Sequence, residues 1–166
     1  MATSRGNQLA QEIRQKVATM KQVCQGVDEN LASRAPTGRW SPKQILSHLC
    51  GPEDVGHLPI LRAFVDSDTP MIDLITDNPF LTEIRARMNF SELVAVCEMN
   101  YQRVASFAAE RTEEQLARKA HIPKLKDSPL GESPTLDGMI YGLGGYHVQS
   151  HIDHLREVLA ALYGRL

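Results

Sequence analysis

Residues 135–162 read TLDGMIYGLGGYHVQSHIDHLREVLAAL, and this stretch says most about how the chain folds. Every third or fourth residue lies on one face, which is the period of a helix with one buried side. The members of that face are Leu136, Ile140, Leu143, His147, His151, Leu155, Val158 and Leu162. The pattern therefore predicts a helix from near Thr135 almost to the C-terminus, with two histidines at core positions. Its glycines lower the helix propensity but let another backbone or a ligand come close.

Two further amphipathic segments precede this helix. Residues 7–32 are predicted to form one long helix, and residues 91–110 form a third main helix, because apolar residues recur there at helical spacing. Residues 66–89 mix turn formers with short apolar clusters, which indicates a long crossover connection with one short helix at most. A polar, proline-rich loop is expected at 121–134.

The second helix has the clearest start in the sequence. Ser41 can cap it, Pro42 suits its first position, and Gln44 completes a capping box. A proline inside a helix removes a backbone hydrogen bond and clashes with the preceding turn. We therefore expect a kink or break near Pro52, with helical structure resuming to about Val65.

These segments predict an all-α protein, a four-helix bundle in a single domain spanning residues 1–166, with the long crossover between helices 2 and 3. The length of 166 residues is enough to bury a core. Cys24, Cys50 and Cys97 are odd in number and far apart, so we expect free cysteines packed in the core.

Composition excludes several classes of partner. The formal net charge is −2 and no run of Lys or Arg could follow a phosphate backbone, so nucleic acid is not expected to bind. No stretch approaches the roughly 18 apolar residues of a membrane span, and the N-terminus lacks a signal-peptide pattern. A cytoplasmic location without membrane contact is the resulting expectation.

The histidines are the residues most suited to chemistry. His147 and His151 are four residues apart, so both imidazoles can point at one ion from the same helical face. His48 lies between Ile45 and Leu49 and can face the same interior from the second helix. Three imidazoles from two helices would give the open, three-ligand arrangement of catalytic metal sites. Such ligands suit zinc, nickel, copper or ferrous iron.

Other polar residues near these histidines have open roles. His154 could be a fourth ligand, a partner that orients a ligand, a proton shuttle, or a partly exposed polar residue. Glu53, Asp54 and Asp153 could orient a histidine or act as a base, although solvent-facing charge is the commoner outcome. Solvated or locally hydrogen-bonded roles are expected for the remaining two histidines, His57 and His121.

Two blocks of the sequence resemble a known family. Residues 40–49, WSPKQILSHL, and residues 146–155, YHVQSHIDHL, are similar in content, order and separation to the two histidine motifs of the DinB/YfiT-like superfamily. The resemblance implies an up-down-down-up bundle and a metal held by His48, His147 and His151. Zinc or nickel and a homodimer are also implied. Pro52 and Pro59 depart from the family pattern just beyond His48.

The resemblance implies either of two activities, a thiol-dependent transferase or isomerase, or a metal-dependent hydrolase. The partner would be a small-molecule substrate, together with a low-molecular-weight thiol in the first case. Candidates for proton handling are Glu53, Asp153 and His154. A non-catalytic metal- or ligand-binding bundle is the alternative, and a polar core without any ion is the third hypothesis.

Overall fold

The structure is a computed structural model, and it describes residues 3–52 and 55–164. Within these ranges the chain forms nine α-helices, joined by turns and by one 3-10 turn at Pro123–Leu125. The helices are α1 (Ser4–Cys24), α2 (Glu29–Ser33), α3 (Pro42–Cys50), α4 (Leu58–Asp66), α5 (Glu83–Arg87), α6 (Phe90–Ala109), α7 (Glu113–Leu116), α8 (Leu136–Tyr141) and α9 (His147–Tyr163).

Four of these helices make the bundle. Helices α1 and α3 each pack against both α6 and α9, so the core lies between them. In the described part of the chain, β-type pairing is confined to isolated bridges between Met71 and His121 and between Lys119 and Thr135. The expected all-α four-helix bundle is confirmed, and the up-down-down-up order of helix directions stays a prediction.

The first helix is shorter than expected. A single helix over 7–32 was the prediction, but α1 ends at Cys24 and α2 begins separately at Glu29. Gly26 has a φ of +78°, a left-handed conformation that glycine adopts easily and that interrupts a helix. Asp28 then accepts a hydrogen bond from the backbone N–H of Leu31 and caps the new helix.

The second helix breaks where the prolines predict. Ser41 and Gln44 form the expected capping box at the start of α3. The helix ends at Cys50, because Gly51 has a φ of +73°, and α4 begins only at Leu58. His48 therefore lies in the last turn of α3, close to the end of that helix.

The crossover between α4 and α6 contains one short helix, α5, as expected. Arg85 on α5 is almost fully buried, at 2% exposure. Its guanidinium donates hydrogen bonds to the backbone carbonyls of Ser47, Gly51 and Phe80. These bonds attach the crossover to the C-terminal end of α3, where carbonyls lack partners within the helix.

The last helix is confirmed, with one local change in winding. Helices α8 and α9 are joined without interruption by a π-helical turn at Gly142–Tyr146, directly before His147. Such turns are rare and occur often at functional sites. A Cβ on Gly144 would lie 2.5 Å from Cγ1 of Ile13, so the absence of a side chain lets α1 approach this turn closely.

The cysteines and the hydropathy of the helices agree with their predictions. Cys24, Cys50 and Cys97 are free and buried in the core. Over residues 3–52 and 55–164, every helix is too short or too polar to cross a bilayer.

Candidate metal centre

Three histidines from two helices converge at one end of the core. His48 comes from α3, and His147 and His151 come from successive turns of α9. One ring nitrogen from each lies within 4.8 Å of the others, and Nε2 of His48 is 3.0 Å from Nε2 of His147. Imidazole nitrogens at this spacing could hold a single metal ion.

The orientation of His48 is fixed by the crossover. Its Nδ1–H donates a hydrogen bond to the backbone carbonyl of Asn78 over 2.6 Å. In the neutral ring, Nε2 then carries the lone pair and faces His147, as a metal ligand requires. Asp77 and Phe80, on either side of Asn78 and Pro79, have left-handed φ angles of 56° and 50°. Strained residues of this kind cluster at functional sites.

Burial keeps the α9 histidines neutral. Loss of hydration, followed by repulsion from His151, lowers the pKa of His147 to about 2. The same two kinds of cause, burial and the neighbouring His48, lower the pKa of His151 to about 4. Both rings therefore keep a free lone pair at neutral pH, which is the form that binds a cation.

Each histidine of α9 that joins the cluster has one buried ring nitrogen without a partner in the part of the chain that the structure describes. Nδ1 of His147 and Nδ1 of His151 are buried and have no hydrogen-bond partner among the described residues. Such atoms are costly to bury, because water can no longer hydrate them. A cation would use the lone pairs of nitrogens that face one another, such as Nε2 of His48 and Nε2 of His147, and three imidazoles are a donor set that fits a transition metal.

A large cavity opens onto the histidines. Its volume is about 590 Å³, and apolar side chains from the crossover, from the 121–134 loop and from α8 and the π turn form most of its wall. A smaller pocket of about 410 Å³ reaches the same cluster and is lined by Gly38, Arg39, Trp40, His48, Asp77, His151 and His154. The cluster is therefore accessible to a ligand.

The candidate proton-handling residues have different positions. Asp153 lies on the exposed side of α9, where it accepts hydrogen bonds from Gln149 and Arg156. His154 lies beside His151, with ring centroids 5.7 Å apart, and burial lowers its pKa. Glu53, like Asp54, lies outside the described residues.

His57 differs from its predicted solvated role. It is buried, its ring lies 5.9 Å from that of His147, and it lines the large cavity. Burial, then repulsion from His48, lowers its pKa to about 4. The solvated role is wrong because the residue before α4 contacts the core, whereas the other expected role, a local hydrogen bond, is not contradicted. His121 is half-buried at the bridge with Met71.

The sequence reasoning missed three contributors to the site. Asn78 acts through its main-chain carbonyl, for which residue type gives no signal. The sequence does not distinguish Arg85 from its exposed neighbour Arg87. Only the carbonyls that surround Arg85 in the structure do so. The π turn had a partial signal in the glycines at 142, 144 and 145, which the sequence analysis interpreted as close-approach positions.

Fold and site together define a four-helix bundle with a broken second helix, a long crossover and a three-histidine cluster. No protein-family model matches the sequence, and no curated protein matches it either. Among solved structures, YfiT from Bacillus subtilis matches with a TM-score of 0.77 at 20% sequence identity, covering 99% of this chain and 90% of that chain. YfiT is described as a probable metal-dependent hydrolase with an unusual four-helix bundle topology. This likeness confirms the fold that the resemblance implied, a four-helix bundle like that of YfiT.

Proposed function

We propose that this protein is a metal-dependent hydrolase of a small molecule, with His48, His147 and His151 as ligands of one divalent ion. The observation that carries the proposal is the convergence of three ring nitrogens within 4.8 Å at the wall of a large cavity. Zinc and nickel are the ions we propose, because both accept three imidazoles and leave a position open.

The chain's own residues prepare the site in three ways. Asn78 orients His48 through its carbonyl, and burial holds His147 and His151 in the neutral form. The apolar cavity wall lowers the local dielectric constant and so strengthens electrostatic interactions of groups bound beside it. When bound, a divalent ion supplies a Lewis acid that lowers the pKa of water and polarises a carbonyl.

Hydrolysis is preferred over thiol transfer for two reasons. The similar structure, YfiT, is described as a probable hydrolase. In addition, the described lining of the large cavity includes no Lys or Arg that would pair with the carboxylates of a peptide-like thiol. Thiol transfer would need a second substrate at the same site, whereas hydrolysis needs only water.

The first test is metal content. The purified parent should contain about one equivalent of zinc or nickel, by the one-site geometry of three ligands. His48→Ala and His147→Ala should lose it, and His121→Ala should retain it as a matched control outside the cluster. A parent that stays metal-free after both ions are offered would contradict the proposal and favour the polar-core hypothesis.

The second test separates an enzyme from a binding module. X-ray absorption of the loaded protein should show three imidazole nitrogens and at least one water oxygen, because a catalytic ion keeps an open position. Ester and amide hydrolysis should then occur without added thiol, stop with a chelator and return with the metal. Saturation of the ion by protein groups would support the non-catalytic alternative, and turnover only with a thiol would support a transferase.

A further inference from the structure

The shape and chemistry of the large cavity indicate which class of substrate it can bind. Its wall is assembled from segments that are distant in sequence, including Leu74 and Phe80 of the crossover, Leu125 and Leu130 of the next loop, and Met139 of α8. Apolar side chains that converge from three segments form a concave surface suited to an apolar ligand. The volume of about 590 Å³ is within the range of pockets that enclose drug-sized molecules.

The charged groups of this wall all have one sign. Among the described residues that line it, the charged side chains are Asp73 and Asp77, both exposed at the surface. The smaller pocket differs, because it contains Arg39 as well as Asp77. Arg39 is itself paired with Glu157 over 2.8 Å. An anionic group entering the large cavity away from the histidines would therefore meet carboxylates, and the described lining offers no Lys or Arg to compensate for them.

We propose that the large cavity binds a substrate with an apolar body whose end remote from the histidines is neutral or positively charged, and that it disfavours anionic substrates. The inference rests on the proposed function, since it concerns the substrate of the same site. It also argues against a transferase that uses a thiol with several carboxylates, because such a thiol would bind poorly in this cavity.

The test uses three probes that share one aromatic body and differ only in the group at the end remote from the metal. Zinc-loaded protein is titrated by calorimetry with 2-naphthohydroxamates that carry an aminomethyl, methyl or carboxylate group at position 6. The hydroxamate holds the same end of each probe at the metal, so only the remote charge changes. The carboxylate should bind about tenfold more weakly than the methyl probe and the amine about tenfold more tightly, because two unit charges a few ångströms away in water each contribute about threefold. High salt should reduce the difference.

Charge variants assign the effect to the cavity. Asp73→Asn and Asp77→Asn should each reduce the preference for the amine, and Asp127→Asn, an exposed aspartate outside the lining, should leave it unchanged. Equal binding of all three tails, or preference for the carboxylate, would overturn the inference. Loss of a carboxylate preference in Arg39→Gln would place that probe in the smaller pocket.

A second arm does not depend on the metal. Metal-free protein with labelled methionine methyl groups is titrated with 2-naphthylmethylamine, 2-naphthylmethanol and 2-naphthoate. Met139 lines the cavity and its methyl signal should shift with the first two, whereas that of Met20 in the core should not. If the protein binds no metal but the amine and the alcohol still shift the Met139 signal more than the carboxylate does, only the proposed function is contradicted. Absence of any Met139 shift, or a larger shift with the anion, would contradict the inference itself.

Discussion

The last helix and the crossover form opposite walls of the same site in different ways. The helix contributes side chains, His147 and His151, at positions that its periodicity repeats. The crossover contributes mainly a main-chain carbonyl, that of Asn78, and a buried anchor, Arg85. The metal ligands can therefore be predicted from the local sequence pattern, whereas the groups that orient them depend on long-range contacts.

The crossover should be the more fragile wall, and Arg85→Leu tests this directly. The change leaves the carbonyls of Ser47 and Gly51 without this donor in a buried place, whereas the Phe80 carbonyl still accepts from Ser47 Oγ and from the N–H of Thr82. We expect a loss of roughly 3 kcal/mol in the free energy of unfolding, since each unsatisfied buried group costs about 1 kcal/mol or more. Urea denaturation of the metal-free protein measures it.

A neighbouring arginine gives the matched control. Arg87 lies on the same short helix and is exposed, with a surface pair to Glu83. Arg87→Leu should change stability by no more than about 0.5 kcal/mol. If Arg85→Leu does not fold, Arg85→Lys should fold with a weaker loss and a lowered zinc affinity. Equal effects of the two arginine positions would show that the crossover is not anchored in this way.

Acidification should destabilise the fold through its buried histidines. The folded-state pKa values of His57 and His147, about 4 and about 2, lie below the ordinary histidine value of 6.5. Between these values the unfolded chain binds protons that the folded chain does not, so stability is complete above pH 6.5 and falls as pH decreases. Between pH 6.5 and 5.5 the metal-free protein should lose about 1 kcal/mol for each of His57 and His147, and the less buried His151, whose pKa is also lowered, should add a smaller loss.

Denaturation at a series of pH values checks this dependence. His57→Gln removes one titrating group and should reduce the loss by about 1 kcal/mol over the same pH unit. His121→Gln, in the loop before α8, should leave it unchanged. A stability that stays flat from pH 6.5 to 5.5 would mean that these rings become protonated without cost in the folded state.

The last helix has its own tightly packed point at the π turn. Gly144→Ala places a Cβ against Ile13, so we expect a net loss of about 1 kcal/mol after the gain in helix propensity. Gly145→Ala meets only ordinary contacts with Tyr141 and should be neutral or slightly stabilising. Thermal denaturation compares the two, and the double variant with Ile13→Ala should lose less than the sum of its parts. Similar losses at both glycines would exclude the packing explanation.

Much of the fold followed from the sequence, because helix period and caps act locally. The capping box at Ser41 and the phase of His147 and His151 are examples. The break at Gly26 was missed, because an apolar period continues across a glycine whose φ only the structure reveals. His57 and Arg85 were missed for another reason. Their burial depends on where the chain turns after Gly51 and on which carbonyls the crossover presents.

Asp153 gives the smallest expected effect and separates sequence proximity from spatial proximity. It lies two residues from His151, yet its carboxylate is on the exposed face of α9 with Gln149 and Arg156. Asp153→Asn should change stability by less than about 0.5 kcal/mol, as for other surface pairs. Zinc affinity, measured by competition with a chelating dye, should stay within about twofold, because exposed charges are screened. Asp77→Asn on the crossover provides the contrast, since Asp77 lines both pockets. A larger loss of zinc affinity in Asp153→Asn than in Asp77→Asn would mean that charges on the outer face of α9, rather than on the crossover, control the zinc affinity of the three histidines.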